Sequence, residues 1–451
     1  MPTCLSSRRV TIGVVMPMLS GFYMGEISAT FRQLAEQEGV NLIIIRSGDS
    51  RDFSLPIALH QMDALVVVLH AAANTYVEAA TRLDIPVISM GASYSPLPVE
   101  QFSSLQSSGV EQLYQWLVSL GHQYIGFCGD LFVTDIRSRF NAFKQCVERY
   151  HHRTFDTSQL FSVENCQLAG GRQAAEEWLT LSSNRCTAVI CATDQNALGM
   201  IEQLKLHNID IPNDLAVVGI DNIFSGCRIS PPLTTVDQQL EQLTRAVFQR
   251  ALERIAGVGL SREVSYIEQS LVIRQSCGSS PLDKSLELDR ETVRHALLYE
   301  ALHSPSELFD NLYSLAKGGF QSILDAQTLY QCQLKRAELH RYEQYRLTSQ
   351  RSLISSDELK QQESDPQDVR NLPYLEAKEA SVITLLPVNR GEQGDWDVVT
   401  VVEKQSCERS IAQSAMFYNY LDILSLFIER DALIETSQQR HKKSQQLLQQ
   451  L

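Results

Sequence analysis

The first half of the chain predicts an α/β fold built on parallel sheets, and three observations carry that prediction. Between Val10 and Val236 short apolar runs alternate with longer amphipathic segments. Several of the runs are almost continuously apolar, as strands covered on both faces must be. The segments between them place their apolar residues three and four apart, the spacing of helices that pack one face against a sheet.

The strands are expected at TIGVVMP (11–17), NLIIIR (41–46), ALVVVL (64–69), PVISM (86–90), YIGFCG (124–129), TAVICAT (187–193) and LAVVGID (215–221). Between the first two, Ile27, Phe31, Leu34 and Ala35 share a helix face that stops before Gly39. Val110, Leu113, Leu117 and Leu120 form a second stripe before Gly121. Glycines just past such stripes suit the left-handed residue that ends many helices.

From about Ser279 the pattern changes. ETVRHALLYEALHSPSELFDNLYSLAKGG and the polar run from Gln331 to Glu358 predict long helices. A loop rich in acids and glutamine, Ser355 to Asn371, precedes SVITLLPV and WDVVTVVEK. The turn between those two runs contains Gly391 and Gly394, so an antiparallel hairpin is expected there. A last helical pattern begins near Ile411. At a spacing of 3.5 residues, Ile423, Phe427, Ile434, Leu448 and Leu451 share a seam with Arg430, Ser437, His441 and Ser444. This is a weak coiled coil or, alternatively, a frayed exposed tail.

Composition excludes several classes. A formal charge of −14 repels phosphate backbones, so sequence-independent nucleic-acid binding is disfavoured, and HKK at 441–443 is too small a basic patch to offset it. The cysteines show neither a C-x-x-C pair nor a Cys/His cluster at ligand spacing, which predicts free thiols in a reducing cytoplasm and no metal site. The apolar runs fall far short of the roughly 18–20 residues that span a bilayer. The N-terminus has no signal-peptide cleavage pattern. No G-x-G-x-x-G follows the first strand, and no phosphate-binding G-x-x-x-x-G-K-[ST] or nucleophile elbow occurs. The chain is therefore expected to be no enzyme, with no catalytic residues and no cofactor.

The stretch VVGIDNIFSGCRISPPLTTV, 217–236, resembles the last parallel strand and crossover of the lactose-repressor-like (LacI-like) branch of type I periplasmic-binding-protein folds. RRVTIGVVMPMLSGFYMGEI, SLGHQYIGFCGD, CTAVICATDQNALGMIEQLKLHNIDIPNDLAVVGID and SLVIRQSC agree with the family in order and spacing. The resemblance spans about Arg8 to Gly278. It implies two α/β lobes joined by three crossings, with a small molecule in the cleft. The first lobe would hold Val10–His122 and Gln239–Ser265; the second would hold Gln123–Gln238 and Tyr266–Gly278.

The same resemblance implies ligand-binding residues. Phe22 and Tyr23 match the aromatic loop after the first strand, and Arg139 matches an arginine that precedes a glycine-aromatic pair, although Ala142 replaces the glycine. Asp194 matches the acid of an A-N-D-x-x-A-L-G motif, Asp221 the acid after V-V-G, and Gln238 the crossover glutamine. The residue types fit that chemistry independently: arginine offers a planar donor fork and aspartates accept in pairs, which suits vicinal hydroxyls or a carboxylate. Other readings stay open. Arg139 and Asp221 can form a structural ion pair, Tyr23 can be core, and Asp194 can cap the helix that follows. Thr193, Gly91 and Met18 stand where the family places asparagine, aspartate or another acid, so fewer polar groups are expected to face the cleft: its ligand, a sugar or related metabolite, is smaller or less hydroxylated than is usual, or is absent, with the cleft kept as a partner-binding surface.

Repressors of this family carry a helix-turn-helix before the first strand, where this sequence shows MPTCLSSRR. The segments from Ser381 onward resemble the end of a GAF-like domain and the tails that lead to GGDEF or histidine-kinase outputs. The domain expectation is thus a sensor at 1–278, a helical connector at 279–360, a GAF-like region at 361–435 and a coiled-coil linker at 436–451. The leading expectation is a cytoplasmic, dimeric signal-transduction module that senses a small molecule and passes lobe closure to a C-terminal output, with no membrane and no direct DNA contact. The alternative is a LacI-like transcription regulator that acts through its C-terminal half or a partner.

Overall fold

The computed structural model describes residues 9–278 except 20, 49–52 and 182–185, and then 334–343, 346–352, 370, 381–389, 395–404, 434, 437, 438 and 441. The chain divides into two compact units: Met1–Ser103, Thr244–Ser265 and Arg294–Leu451 in the first, Ser104–Leu243 and Tyr266–Val293 in the second.

The first unit begins with β1 (Thr11–Met16), α1 (Phe22–Glu38), β2 (Asn41–Arg46), β3 (Ala64–Val68), α2 (Asn74–Arg82), β4 (Val87–Met90) and β5 (Val99–Ser104). The second unit takes α3 (Gln106–Ser119), β6 (Ile125–Gly129), α4 (Thr134–His151), β7 (Leu160–Ser162), α5 (Leu168–Thr180), β8 (Ala188–Cys191) and α6 (Asp194–Leu206). It continues through β9 (Ala216–Val218), α7 (Phe224–Arg228) and β10 (Thr235–Asp237). Next, α8 (Leu240–Ile255) and β11 (Ser265–Ile267) lie where the chain passes between units, and β12 (Ser270–Val272) is the last element of the second among the described residues.

All seven strands expected in the first half are present. Their burial explains why they were legible: β1, β2 and β3 are buried at every position, so both faces must be apolar. The α1 stripe of Ile27, Phe31, Leu34 and Ala35 is buried, and Gly39 ends the helix in the left-handed conformation with its N–H directed to Ala35 and Glu36 carbonyls. Gly121 likewise takes positive φ after α3.

The passage between units differs from the expected one. It falls between Ser103 and Ser104, so α3 belongs to the second unit. The reason is the partner of its stripe: Val110, Leu113 and Leu117 pack with Ile125, Phe127 and Phe143 of that unit. Leu120 departs from the stripe and is exposed. The second passage lies at Leu243/Thr244, within α8, and the third at Ser265/Tyr266, as expected.

In the second unit β7-β6-β8-β9 form a wholly parallel sheet, and β10 and β12 pair antiparallel beside it. Polar residues following β6, β8 and β9 therefore emerge at one edge, the carboxyl ends of the strands, where open α/β sheets bind ligands.

The first unit's sheet contains strands from the far end of the chain: β13 (Leu334–Glu343), β14 (Arg346–Ser352), β15 (Ser381–Asn389) and β16 (Trp396–Lys404). Its order is β11-β5-β4-β3-β1-β2-β15-β16-β13-β14. β15 runs parallel to β2, with Ile383 opposite Ile43 and Leu385 opposite Ile45. The expected hairpin forms between β15 and β16, Ser381 opposite Lys404 through Asn389 opposite Trp396. One apolar layer joins Val15, Ile43 and Ile45 to Ile383, Leu385, Val398 and Val402. Burying each of these aliphatic side chains contributes roughly 1.5–3 kcal/mol.

The helix expected over Gln331 to Glu358 is corrected: residues 334–343 and 346–352 are paired antiparallel strands, so the connector expected at 279–360 is not wholly helical. Buried His340 and Tyr342 flank the less buried Arg341, a period of two that the abundance of charged residues hid. Arg341 donates to Asp397 on β16 at 2.9 and 3.0 Å, which accounts for charges inside a sheet. The helical stretch at 291–319, the body of the GAF-like region beyond β15 and β16, and the coiled-coil pattern at 436–451 fall outside the described residues, apart from single positions.

Candidate functional site

In the second unit the structure brings Arg139, Asp221 and Gln238 together. Arg139 sits on α4, almost fully buried, and Asp221 follows β9. The guanidinium Nη1 lies 3.7 Å from Asp221 Oδ1, with side-chain exposures of 4% and 23%. Gln238, just past β10, donates from Nε2 to the same Oδ1 at 2.6 Å. Arg139 also donates from Nε to Gln106 Oε1 at 2.7 Å and from Nη1 to the Ala192 carbonyl. The arginine is thus fixed by protein acceptors, while the carboxylate it faces keeps partial access to solvent. Burial raises the Asp221 pKa, and Arg139 and Gln238 oppose that shift.

Asp221 has φ 131° and Asn222 φ 54°, both in the region that side-chain-bearing residues rarely adopt. The turn is held in place: Asp221 N–H donates to Val236 O, and Asn222 bridges Asp237 and Arg274 at 3.0 and 2.7 Å. Two polar residues end this strand because they make the turn.

Asp194 has a different place. It is fully buried, accepting from Thr235 Oγ1 at 2.6 Å on Oδ1 and from Ile223 N–H at 2.9 Å on Oδ2. It does not cap α6. The cap is Thr193, whose hydroxyl accepts from Asn196 N–H at 3.1 Å. The Asp194 carboxylate instead binds together the segments that follow β9 and enter β10.

Burial and the nearby charge of Asp221 push the Asp194 pKa up to about 7. The folded state therefore holds this proton more tightly than the unfolded chain. The resulting stability is fully present below the ordinary carboxylate range and is lost as pH rises through about 7, an effect on the order of a few kcal/mol. Asp194→Asn imitates the neutral acid, its amide donating to Thr235 and its oxygen accepting from Ile223. The variant is expected to gain stability relative to the parent between pH 4.5 and 7.5, measured by denaturant unfolding at both values. A stability difference that does not change with pH would refute the shift.

Phe22 and Tyr23 open α1 in the first unit, where Tyr23 is half-buried. Several polar residues escaped the sequence reading. Gln106 at the start of α3, Gln269 beside β12 and Arg274 near the end of the second unit all bond to this network. Cys166 lies near Asp130, Arg139 and Asp221, and burial pushes its thiol up to about 11. Arg274 stood within SLVIRQSC and was open to notice there. The glutamines carried no signal, because an uncharged amide, on a helix as at Gln106 or between two strands as at Gln269, looks like surface. Among the described residues no group of three or more His, Cys, Asp or Glu side chains could hold a metal ion, and no helix is long and apolar enough to cross a membrane.

Residues 114–277 match the family profile of the periplasmic binding protein-like domain. The chain is similar to the HTH-type transcriptional repressor PurR of Vibrio campbellii, 25% identical over 287 residues, covering 60% of this chain and 82% of that protein. It is also similar to the ribose operon repressor of Haemophilus influenzae, 25% identical over 272 residues, covering 59% and 80%. Among solved structures, a LacI family transcriptional regulator from Enterococcus faecium with bound ribose superimposes with a TM-score of 0.52 at 21% identity, over 60% of this chain and all of that one. The chain thus contains the α/β fold of type I periplasmic-binding-protein-like domains.

These findings overturn the leading expectation of a signal-transduction input module feeding a cyclase or kinase, because the relatives are named as transcriptional repressors. The same names remove the support for excluding DNA contact. The expectation that the chain is not an enzyme is upheld, since the relatives are regulators.

Proposed function

We propose that this protein is a transcription regulator of the LacI-like kind, responsive to a small molecule and acting through its C-terminal half or a partner. The observation that carries the reading is the alignment with repressors across 80–82% of their length. The arrangement at the strand ends supports it. Asp221, partly open to solvent and oriented by Arg139 and Gln238, is a hydrogen-bond acceptor for a hydroxyl-bearing ligand such as a sugar or related metabolite. Phe22 and Tyr23 are separate candidates for an aromatic contact. Asp194, fully buried and held by Thr235 and Ile223, braces the turn that follows β9 rather than offering a contact of its own. A cytoplasmic homodimer is the assembly that fits this reading.

The test is a thermal-shift screen of the full chain against ribose, cellobiose and other small sugars, repeated on Asp221→Ala, with DNA retention on random genomic fragments at low salt as the second readout. A ligand that raises the parent's melting temperature, leaves Asp221→Ala unmoved and alters DNA or partner retention is the expected result. Retention unaffected by every compound that binds would defeat the regulator reading. Equal shifts in parent and variant would defeat the assignment of Asp221.

A further inference from the structure

The three passages between units meet one side-chain network inside the second unit. Ser104 stands at the first passage, Gln238 shortly before the second and Gln269 shortly after the third. Gln269 Nε2 donates to Ser104 Oγ at 2.9 Å and lies 3.4 Å from Gln106 Oε1. Gln106 Oε1 is also the acceptor for Arg139 Nε. Ser104 Oγ donates in turn to the Gln238 carbonyl at 3.2 Å, and Gln238 holds Asp221. Starting from Asp221, one branch runs through Gln238 to Ser104 and another through Arg139 to Gln106. The branches already touch where Gln106 Nε2 donates to Gln238 Oε1 at 3.4 Å, and Gln269 joins them a second time, at Ser104 and Gln106.

Two further features mark Gln269. It is 4% exposed, yet its Oε1 has no hydrogen-bond partner. A buried acceptor left unmet calls for an explanation beyond packing. Room for it is made by Gly109 on α3, where a Cβ would stand 2.0 Å from Oε1. The backbone reinforces the junction, since Leu105 N–H donates to Ile267 O and Leu271 N–H to Gln112 Oε1.

We propose that Gln269 is a positioning residue that couples the Arg139–Asp221 pair to the chain segments passing between the units. A change at Asp221 alters the two branches, and Gln269 makes them respond as one at the segments carrying Ser104 and Leu271. The proposal builds on Asp221 as the ligand-facing acceptor, but its test uses no ligand, so the failure of one reading does not decide the other.

The test is hydrogen exchange on the full chain, read at the amides of Leu105 and Leu271, in the parent, Asp221→Asn, Gln269→Met and the double variant. Each single change is expected to speed exchange at both amides about 5-fold or more, the lower range of coupling between sites. The double variant is expected to exchange no faster than the faster single one, because both changes loosen the same connected network. Amides in β8 serve as the folding control and should be unchanged. If Gln269→Met alters β8, Gln106→Met removes the other arm of the junction and takes its place. Effects that multiply in the double variant, or Leu105 exchange within twofold of the parent in Asp221→Asn, overturn the proposal.

Discussion

Gly219→Ala is expected to destabilise the second unit by about 3 kcal/mol, combining overpacking strain with a weakened carboxylate hydrogen bond. A Cβ at Gly219 would stand 2.1 Å from Asp194 Oδ1 and 3.2 Å from Asp194 Cα. The oxygen cannot swing aside freely, because Thr235 donates to it at 2.6 Å and Ile223 fixes its twin. The strand cannot retreat either: Gly219 N–H donates to Thr234 O at 2.9 Å. Denaturant unfolding measures the loss, and the Asp194→Ala background checks its cause. Removing the carboxylate makes space for the new methyl group, so the two changes should be strongly non-additive. A loss of full size in both backgrounds would place the strain elsewhere.

This glycine shows what could be read from the sequence. VVGID was visible as a strand end, and its likeness to a known family placed Asp221. Nothing in the linear pattern said that the glycine makes room for a carboxylate from the start of α6. The buried strands were legible because burial on both faces writes itself as uninterrupted apolar sequence. β5 was not, because only alternate positions of VEQFSS are buried. β13 escaped for the same reason, with Arg341 satisfied by Asp397 in a strand not adjacent in sequence. Arg139, Asp221 and Gln238 were legible as a set through family spacing. Gln106 and Gln269 act through partners more than 130 residues away, at Gln238 and Ser104, and no local pattern encodes such a pairing.

Glu100→Ala is expected to cost the first unit about 2–3 kcal/mol, somewhat less than the roughly 3–5 kcal/mol found when one partner of a fully enclosed pair is removed. Glu100 lies on β5 with a side chain 2% exposed. Arg250 of α8 grips it with two donors, Nε to Oε2 at 2.6 Å and Nη2 to Oε1 at 3.1 Å, and Arg254 Nε approaches Oε1 at 3.2 Å. One carboxylate therefore faces two guanidinium groups on successive turns of a helix, and its removal leaves two like charges together. The arginines are 15% and 19% exposed and keep bonds to Glu253, Gly259 and Val258, so part of their charge remains solvated. That is why the expected loss falls short of the enclosed case. Glu100→Gln preserves the acceptor oxygen and should cost less than half as much. Raising salt from 0.05 to 1 M shortens the screening length from above 10 Å to about 3 Å and should narrow the gap between Glu100→Ala and the parent. Equal losses for the glutamine and alanine variants, unchanged by salt, would mean that β5 and α8 are held together by packing and not by this charge cluster.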